Sequence, residues 1–368
     1  MISVKNLYYL LLYAWDRFEE SRMIAIDAEP ETDLLNLLAA VMTRGVDHVL
    51  RCGLDRGYLP VSLESVGIRG KVSLSATLKS NLMARVRLSC EFDELSHDVL
   101  HNQIVKATLC NLTRCETLDP KLRASVKTAY LRLPGISDIR LTRRAFRNVQ
   151  LHRNIRLYGL LVDVCRLLYD HLIPDDAEGT FRFREFTRNE ERMRRLFERF
   201  LLNFYKHELR EKFKVASRRI VWTGAAGPAV HLLPDMLTDI MLTRPGRCIV
   251  VDAKYTPKVL QEHPHGPRRL RSEHLYQLFA YLKNLPAVPG VRIDGMLLYP
   301  LAEHSIDATI YLSGHQVRAY TIDLNQHWRL IRQDLIALMP ISDAKQAPTG
   351  DRETMISEGP GDLPGHKS

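Results

Sequence analysis

The stretch Leu233-Pro-Asp-Met-Leu-Thr-Asp-Ile-Met-Leu-Thr-Arg-Pro-Gly-Arg-Cys-Ile-Val-Val-Asp-Ala-Lys-Tyr255 decides how the second half of this chain is read. Pro245-Gly246 is a two-residue turn signal between two apolar runs, so the spacing predicts a hairpin. Ile249 to Val251 is continuously apolar, as in a strand buried on both faces, yet it ends in Asp252-Ala253-Lys254. A charge pair at the end of a buried strand needs a physical reason. With Pro245 and Gly246 as the loop, Arg244 faces Arg247, and counting outward sets Asp239 opposite Asp252 and Leu237 opposite Lys254. Asp239, Asp252 and Lys254 then share one face of the sheet. Two carboxylates about 5 Å apart repel by roughly 3 kcal/mol at an effective dielectric near ~20. A divalent cation between them removes the conflict. A hard, oxygen-ligated ion such as Mg²⁺ takes one or two carboxylates and completes its shell with water and phosphate oxygens. It would polarise a scissile phosphate, while Lys254 positions or deprotonates the attacking water.

Working outward, a long helix is expected from Arg188 to Phe213, with Met193, Leu196, Phe197, Phe200, Leu201 and Phe204 on one face. Strands are expected at 216–222, 231–243, 247–256, 295–300, 309–312 and 318–322, with helices at 272–285 and 326–338. That order is α/β with a central mixed sheet. Glu198 lies beside the apolar stripe of the first helix and is a candidate third acidic ligand of the metal; an ordinary helix ion pair with Arg194 or Arg195 competes with that role. Gln277 lies in the helix that follows the Asp-x-Lys strand and is a candidate polar member of the site. The pattern resembles the PD-(D/E)xK nuclease superfamily, whose nominal letters also match Pro234-Asp235. In the simple hairpin register, however, Asp235 faces Thr256, about 13 Å along the strand from Asp239, so the register favours Asp239.

The first half mixes helices, expected at 6–18, 33–52, 99–113 and 147–172, with a small antiparallel β element between 59 and 92. A boundary near 170 divides an α+β unit, 1–170, from a nuclease-like unit, 171–342, and the Pro, Gly and acid-rich end, 343–368, reads as a disordered tail. The chain has 368 residues, 45% hydrophobic and 26% charged, which is the composition of a globular protein and excludes a membrane protein or wholesale disorder. Its six cysteines contain no Cys-x-x-Cys pair, so neither a zinc knuckle nor a disulfide framework is encoded, and a reducing, cytoplasmic setting is expected. No Gly-x-x-x-x-Gly-Lys-[Ser/Thr] occurs, so the chain is not expected to bind nucleotide itself.

The net charge is +9, which favours a polyanionic partner, nucleic acid ahead of a membrane surface. Between Arg182 and Arg219 thirteen Lys or Arg face six Glu, and Arg194 and Arg195 are candidate DNA contacts there. Most of the net charge is therefore expected beside the acidic site. A second basic cluster, Pro264 to Arg271, contributes Arg268, Arg269 and Arg271 and is expected to be a loop reaching phosphate.

Three blocks, Val4-Lys-Asn-Leu-Tyr-Tyr-Leu-Leu-Leu-Tyr-Ala-Trp-Asp16, Phe92-Asp-Glu-Leu-Ser-His-Asp-Val-Leu-His-Asn-Gln103, and Thr238-Asp-Ile240 with Asp252-Ala-Lys-Tyr255, together resemble the McrC family, the nuclease subunit of McrBC-type modified-cytosine restriction systems. The resemblance covers about residues 1 to 335. It implies a Mg²⁺-dependent endonuclease of double-stranded DNA that works with a ring-forming AAA+ GTPase of the McrB type. It also implies that the catalytic acid belongs to a Thr-Asp-[Ile/Val] strand, in agreement with Asp239. Two other readings compete: a non-catalytic adaptor that only activates an AAA+ motor, and a repair nuclease that works with a helicase.

Overall fold

The computed structural model describes residues 2–24, 33–174, 180–184, 187, 189–263 and 266–339. The expected tail at 343–368 lies outside the described residues. The first half carries helices α1 (Val4–Ala14), α2 (Phe18–Ser21), α3 (Leu34–Cys52), α4 (Leu74–Lys79), α5 (Leu100–Thr113), α6 (Pro120–Leu131), α7 (Arg143–Asn148) and α8 (Arg156–His171). Its strands are β1 (Gly57–Ser65), β2 (Lys71–Val72), β3 (Leu88–Ser96), β4 (Leu172–Pro174) and β5 (Phe181–Phe183). β1 pairs with β3 over nine residues and β2 joins the other edge of β3, which gives the small antiparallel element that alternation foretold.

Helix ends follow local chemistry. Asp33 caps α3 by accepting from Asn36 N at 2.8 Å, and Asp119 caps α6, with Pro120 at its first turn. The expected helix at 6–18 stops early, because Asp16 takes a left-handed φ of 59° and the chain restarts as α2. The helix expected from Arg147 splits into α7 and α8.

The second half consists of α9 (Glu190–Glu208), β6 (Lys214–Ala216), β7 (Arg219–Ile220), β8 (Met236–Leu237), β9 (Ile240–Arg244), β10 (Arg247–Ala253), β11 (Leu260–His263), β12 (Gly266–Leu270), α10 (Ser272–Asn284), β13 (Arg292–Pro300), β14 (Asp307–Leu312), β15 (His315–Ile322) and α11 (Trp328–Ala337). Six strands form one sheet in the order β14-β15-β13-β10-β9-β6. β10, β13 and β15 run parallel, and the outer strands are antiparallel, so the sheet is mixed as expected.

Alternation along β10 assigns its two faces. Ile249, Val251 and Ala253 pack with Phe197, Phe200 and Leu201 of α9, together with Ile331 and Leu335 of α11. Cys248 and Val250 turn to the other face, against Leu278, Tyr281 and Leu282 of α10. By the same period of two, Asp252 and Lys254 face the α10 side.

Helix α1 packs against α9 rather than among the helices that follow it in sequence. Tyr13 is 1% exposed, its hydroxyl donates to Glu208 Oε1 at 2.7 Å, and Asn203 donates to the carbonyls of Tyr13 and Ala14. Tyr9 stacks on Trp328 at 4.8 Å. One apolar core therefore runs from α1, α3, α5 and α8 into α9 and one face of the large sheet.

Candidate active site at the end of the central hairpin

The hairpin register is as counted from the turn: Arg244 faces Arg247, and the ladder continues to Ile240 opposite Val251. Gly246 supplies the left-handed turn residue, with φ 74°. One step further, where Asp239 would face Asp252, the ladder ends and a side chain takes over: Asp239 Oδ2 accepts from Ala253 N at 2.8 Å. The expected pairing of Leu237 with Lys254 is not formed. Leu237 leaves the sheet to pair with Arg219, and the Lys254 amide donates instead to the Leu298 carbonyl, extending the parallel partner strand. Thr238 makes this divergence possible. Its buried hydroxyl accepts from Arg218 N at 3.0 Å and donates to Arg218 O at 3.1 Å, while its carbonyl accepts from Ser217 Oγ at 2.6 Å.

Asp252 is fully buried. Lys254 Nζ lies 2.9 Å from its Oδ2, yet among the described residues neither carboxylate oxygen receives a well-directed hydrogen bond. Burial, reinforced by the neighbouring charge of Asp239 and opposed by Lys254, pushes Asp252 up to about 7. Asp239 is also raised, chiefly by burial, against the pull of the Ala253 amide and of Lys254. The pair thus resists full ionisation unless more positive charge arrives.

Gln277 lies against Lys254. Lys254 Nζ donates to its Oε1 at 2.8 Å, its Nε2 donates to the Tyr281 hydroxyl at 2.7 Å, and that hydroxyl donates to Leu237 O at 3.0 Å. Tyr281 was not foreseen. It stands four residues after Gln277 in a helix, and that spacing is the signal in the sequence that marks it. His274, one turn earlier, bonds through Nδ1 to the Tyr299 hydroxyl at 3.1 Å and is lowered to about 4 by burial and by Lys254, so it is neutral near pH 7.

Glu198 stands apart. It belongs to α9, on the opposite face of the sheet from α10, and its nearest cation is Arg194 at 4.0 Å. Burial, then the charge of Asp239, raise it, so it senses the site electrostatically. Among the described residues no three His, Cys, Asp or Glu side chains gather as a metal-holding group, so Asp239, Asp252 and Glu198 do not form a closed trio. Asp235 is two-thirds exposed and ion-paired with Arg219.

The candidate DNA contacts also differ from expectation. β11 and β12 pair antiparallel where a loop was expected, with Arg268 and Arg269 on β12 and Arg271 at the N-cap of α10. Arg195 pairs with Glu191, Arg271 with Glu273 at 2.7 Å, and Arg268 with His304 and, at 3.5 Å, Glu262. Among the described residues Arg269 alone of the five has no ion pair.

Residues 4–300 match the family described as McrBC 5-methylcytosine restriction system component. The type IV methyl-directed restriction enzyme EcoKMcrBC of Escherichia coli strain K12 is 32% identical over 338 residues, spanning 91% of this chain and 97% of that one. In a refined half-complex from the tetradecameric assembly of Thermococcus gammatolerans McrB AAA+ hexamers with bound McrC, one chain has a similar fold, with a TM-score of 0.56 and 18% identity, over 91% of this chain and 76% of that one. Among the described residues no helix is long and apolar enough to cross a membrane.

Proposed function

We propose, from the premise that the chain belongs to the McrBC 5-methylcytosine restriction system component family, that it is the DNA-cutting subunit of such a system, with a PD-(D/E)xK-like site built on Asp239, Asp252 and Lys254. The observation that carries this reading is Asp252: a fully buried carboxylate beside a second acid, neutralised by one lysine and left without directed donors among the described residues. A buried charge in that state is costly to the fold.

A divalent cation suits this pair of buried acids. Asp252 and Asp239 would hold it, and two carboxylates suffice for Mg²⁺, which keeps several waters and takes substrate phosphate oxygens. When bound it would supply Lewis-acid polarisation of the scissile phosphate. The remaining work falls to this chain's own side chains. Lys254 has three donors; Gln277 takes one and Asp252 attracts another, leaving one for a water or a phosphate oxygen. Tyr281 fixes which end of the Gln277 amide faces Lys254, because its hydroxyl is anchored on Leu237 O and accepts from Nε2. Glu198, raised by burial, is suited to orient a water at the mouth.

The motor of the proposed system is an AAA+ GTPase of the McrB type. This sequence has no phosphate-binding loop of its own. The arm formed by β1, β2, β3 and α4 presents Tyr58, Val66, Ile68, Leu74, Leu78 and Val86 to solvent, an apolar surface fit for a partner protein. Calorimetric titration with Mg²⁺ and nicking of modified plasmid with the motor, GTP and Mg²⁺ test the reading together. Wild type is expected to bind the ion and cut, and Asp252→Asn to do neither. Wild-type cutting by Asp252→Asn would overturn the site.

A further inference from the structure

Between Asp138 and Asp163 the sequence holds six arginines, at 140, 143, 144, 147, 153 and 156, and no acidic residue. The run at 182–219 is answered by six glutamates of its own, and Arg194, Arg195 and Arg219 are ion-paired. Arg140, Arg143, Arg144, Arg147 and Arg156 are all exposed and, among the described residues, have no ion pair or hydrogen-bonded partner.

The segment itself is firmly seated. Leu141 and Phe146 are buried, Phe146 packs on Tyr169 with ring centres 5.3 Å apart, and Arg166 donates to the Phe146 carbonyl at 3.0 Å while lying over its ring. With those residues turned inward, the arginines of 140–147 are held outward. Three of them crowd the short helix α7, where like charges repel and nothing in the fold is gained. A surface kept unfavourable to the free protein calls for a polyanion to complete it.

We infer that this arginine face, at 140–147, is a phosphate-contacting surface for duplex DNA, separate from the cutting site. It rests on the reading of the chain as a DNA-cutting subunit only for the identity of the polyanion. The residues around the arginines favour nucleic acid over a protein or a lipid surface. Thr142, Asn148, Gln150 and Asn154 are exposed hydrogen-bonding groups of the kind that contact phosphate and sugar. None of the exposed large apolar residues lies between 139 and 156, so the centre of a protein interface and the anchor of a membrane surface are both missing there.

The experiment is fluorescence anisotropy of the full chain on an unmodified labelled duplex, in EDTA, across a series of salt concentrations. Each phosphate contact contributes about 0.9 to the slope of log affinity against log salt. Arg143→Gln/Arg144→Gln/Arg147→Gln is therefore expected to make the slope shallower by about 2 to 3 and to weaken binding about tenfold or more at low salt. Arg143→Lys/Arg144→Lys/Arg147→Lys should keep most of the slope, because phosphate neutralisation follows charge. Arg51→Gln/Lys79→Gln/Lys127→Gln removes three scattered exposed charges and should shift the slope by much less. An unchanged slope in the first variant, an equal change in the scattered one, or loss of motor co-purification with DNA affinity intact would each overturn the inference. Binding in EDTA involves no cleavage, so a chain that binds through these arginines and cuts nothing leaves this inference standing while the cutting site falls.

Discussion

The large sheet buries an aspartate near each end, and the two are treated in opposite ways. Asp294, 5% exposed near the start of β13, has both oxygens engaged: Arg247 donates to Oδ2 at 2.8 Å and Arg292 to Oδ1 at 2.9 Å. Asp252, 0% exposed near the end of β10, has Lys254 nearby and no directed donor among the described residues. Satisfied burial is what a fold does with a charge it needs for structure. Burial left short of donors marks a charge held for something that arrives later.

The strongest way to break this contrast is to exchange the two losses. Asp252→Ala should lower plasmid nicking by about a thousandfold or more, on the scale of a lost metal site, with no fall in melting temperature. Asp294→Ala should do the reverse, costing about 3 kcal/mol of stability because the largely buried Arg247 loses its partner, while nicking well below the melting point persists. Thermal unfolding and nicking on the same two samples decide it. An Asp294→Ala protein as stable as wild type would remove the basis of the comparison.

A smaller effect sharpens which acid accompanies Asp252. Asp239→Asn should lose roughly a hundredfold in cleavage, since an amide brings no charge to the cation. Asp235→Asn, which breaks only an exposed ion pair with Arg219, should stay within about twofold. The opposite ranking in a nicking assay would move the site to Pro234-Asp235.

Smaller again is Tyr281→Phe. Losing one hydroxyl that orients Gln277 should reduce kcat about fivefold, on the scale of one hydrogen bond of ~1 kcal/mol, and leave DNA affinity alone. A change in affinity with kcat intact would make Tyr281 a DNA contact instead.

The least of the expected effects is a dependence on pH. Unfolded carboxylates ionise near ~4, whereas Asp252 is pushed up to about 7 and Asp239 is raised. Between those values the folded, metal-free protein holds more protons than the unfolded chain, so its stability falls as pH rises through that window. The melting temperature of wild type in EDTA should therefore decline relative to Asp252→Asn from about pH 5 to 7, and Mg²⁺ should close the gap near neutrality. Parallel pH profiles for the two proteins would show that Asp252 is not the group that titrates.

Much of the site was legible because its rules are local. A two-residue Pro-Gly turn sets the register, and a period of two sets the faces, so Asp239 and Asp252 could be aligned by counting. Gln277 was legible as a polar residue in the helix that follows the strand, though its bond to Lys254 was not. The count failed at Leu237, where Thr238 clamps the strand to residues 217–218 and draws it into a second ladder with Arg219. The position of Glu198 was not legible, because periodicity reveals which face of a helix is apolar but not which face of the sheet that helix covers. The pairing of β11 and β12 was hidden behind prolines and arginines that read as a loop.

Composition, turn chemistry and strand alternation by themselves determined a mixed α/β second half, the hairpin and the two acids at its end. Three things were left to the tertiary structure: that α1 belongs against α9 and Trp328, that Asp252 is sealed with Lys254 as its nearest cation, and which arginines are already paired. Each depends on groups far apart in sequence meeting in space. Local preference sets where a chain turns and which side chains point inward, but whether a buried charge is answered depends on what the rest of the fold brings to it.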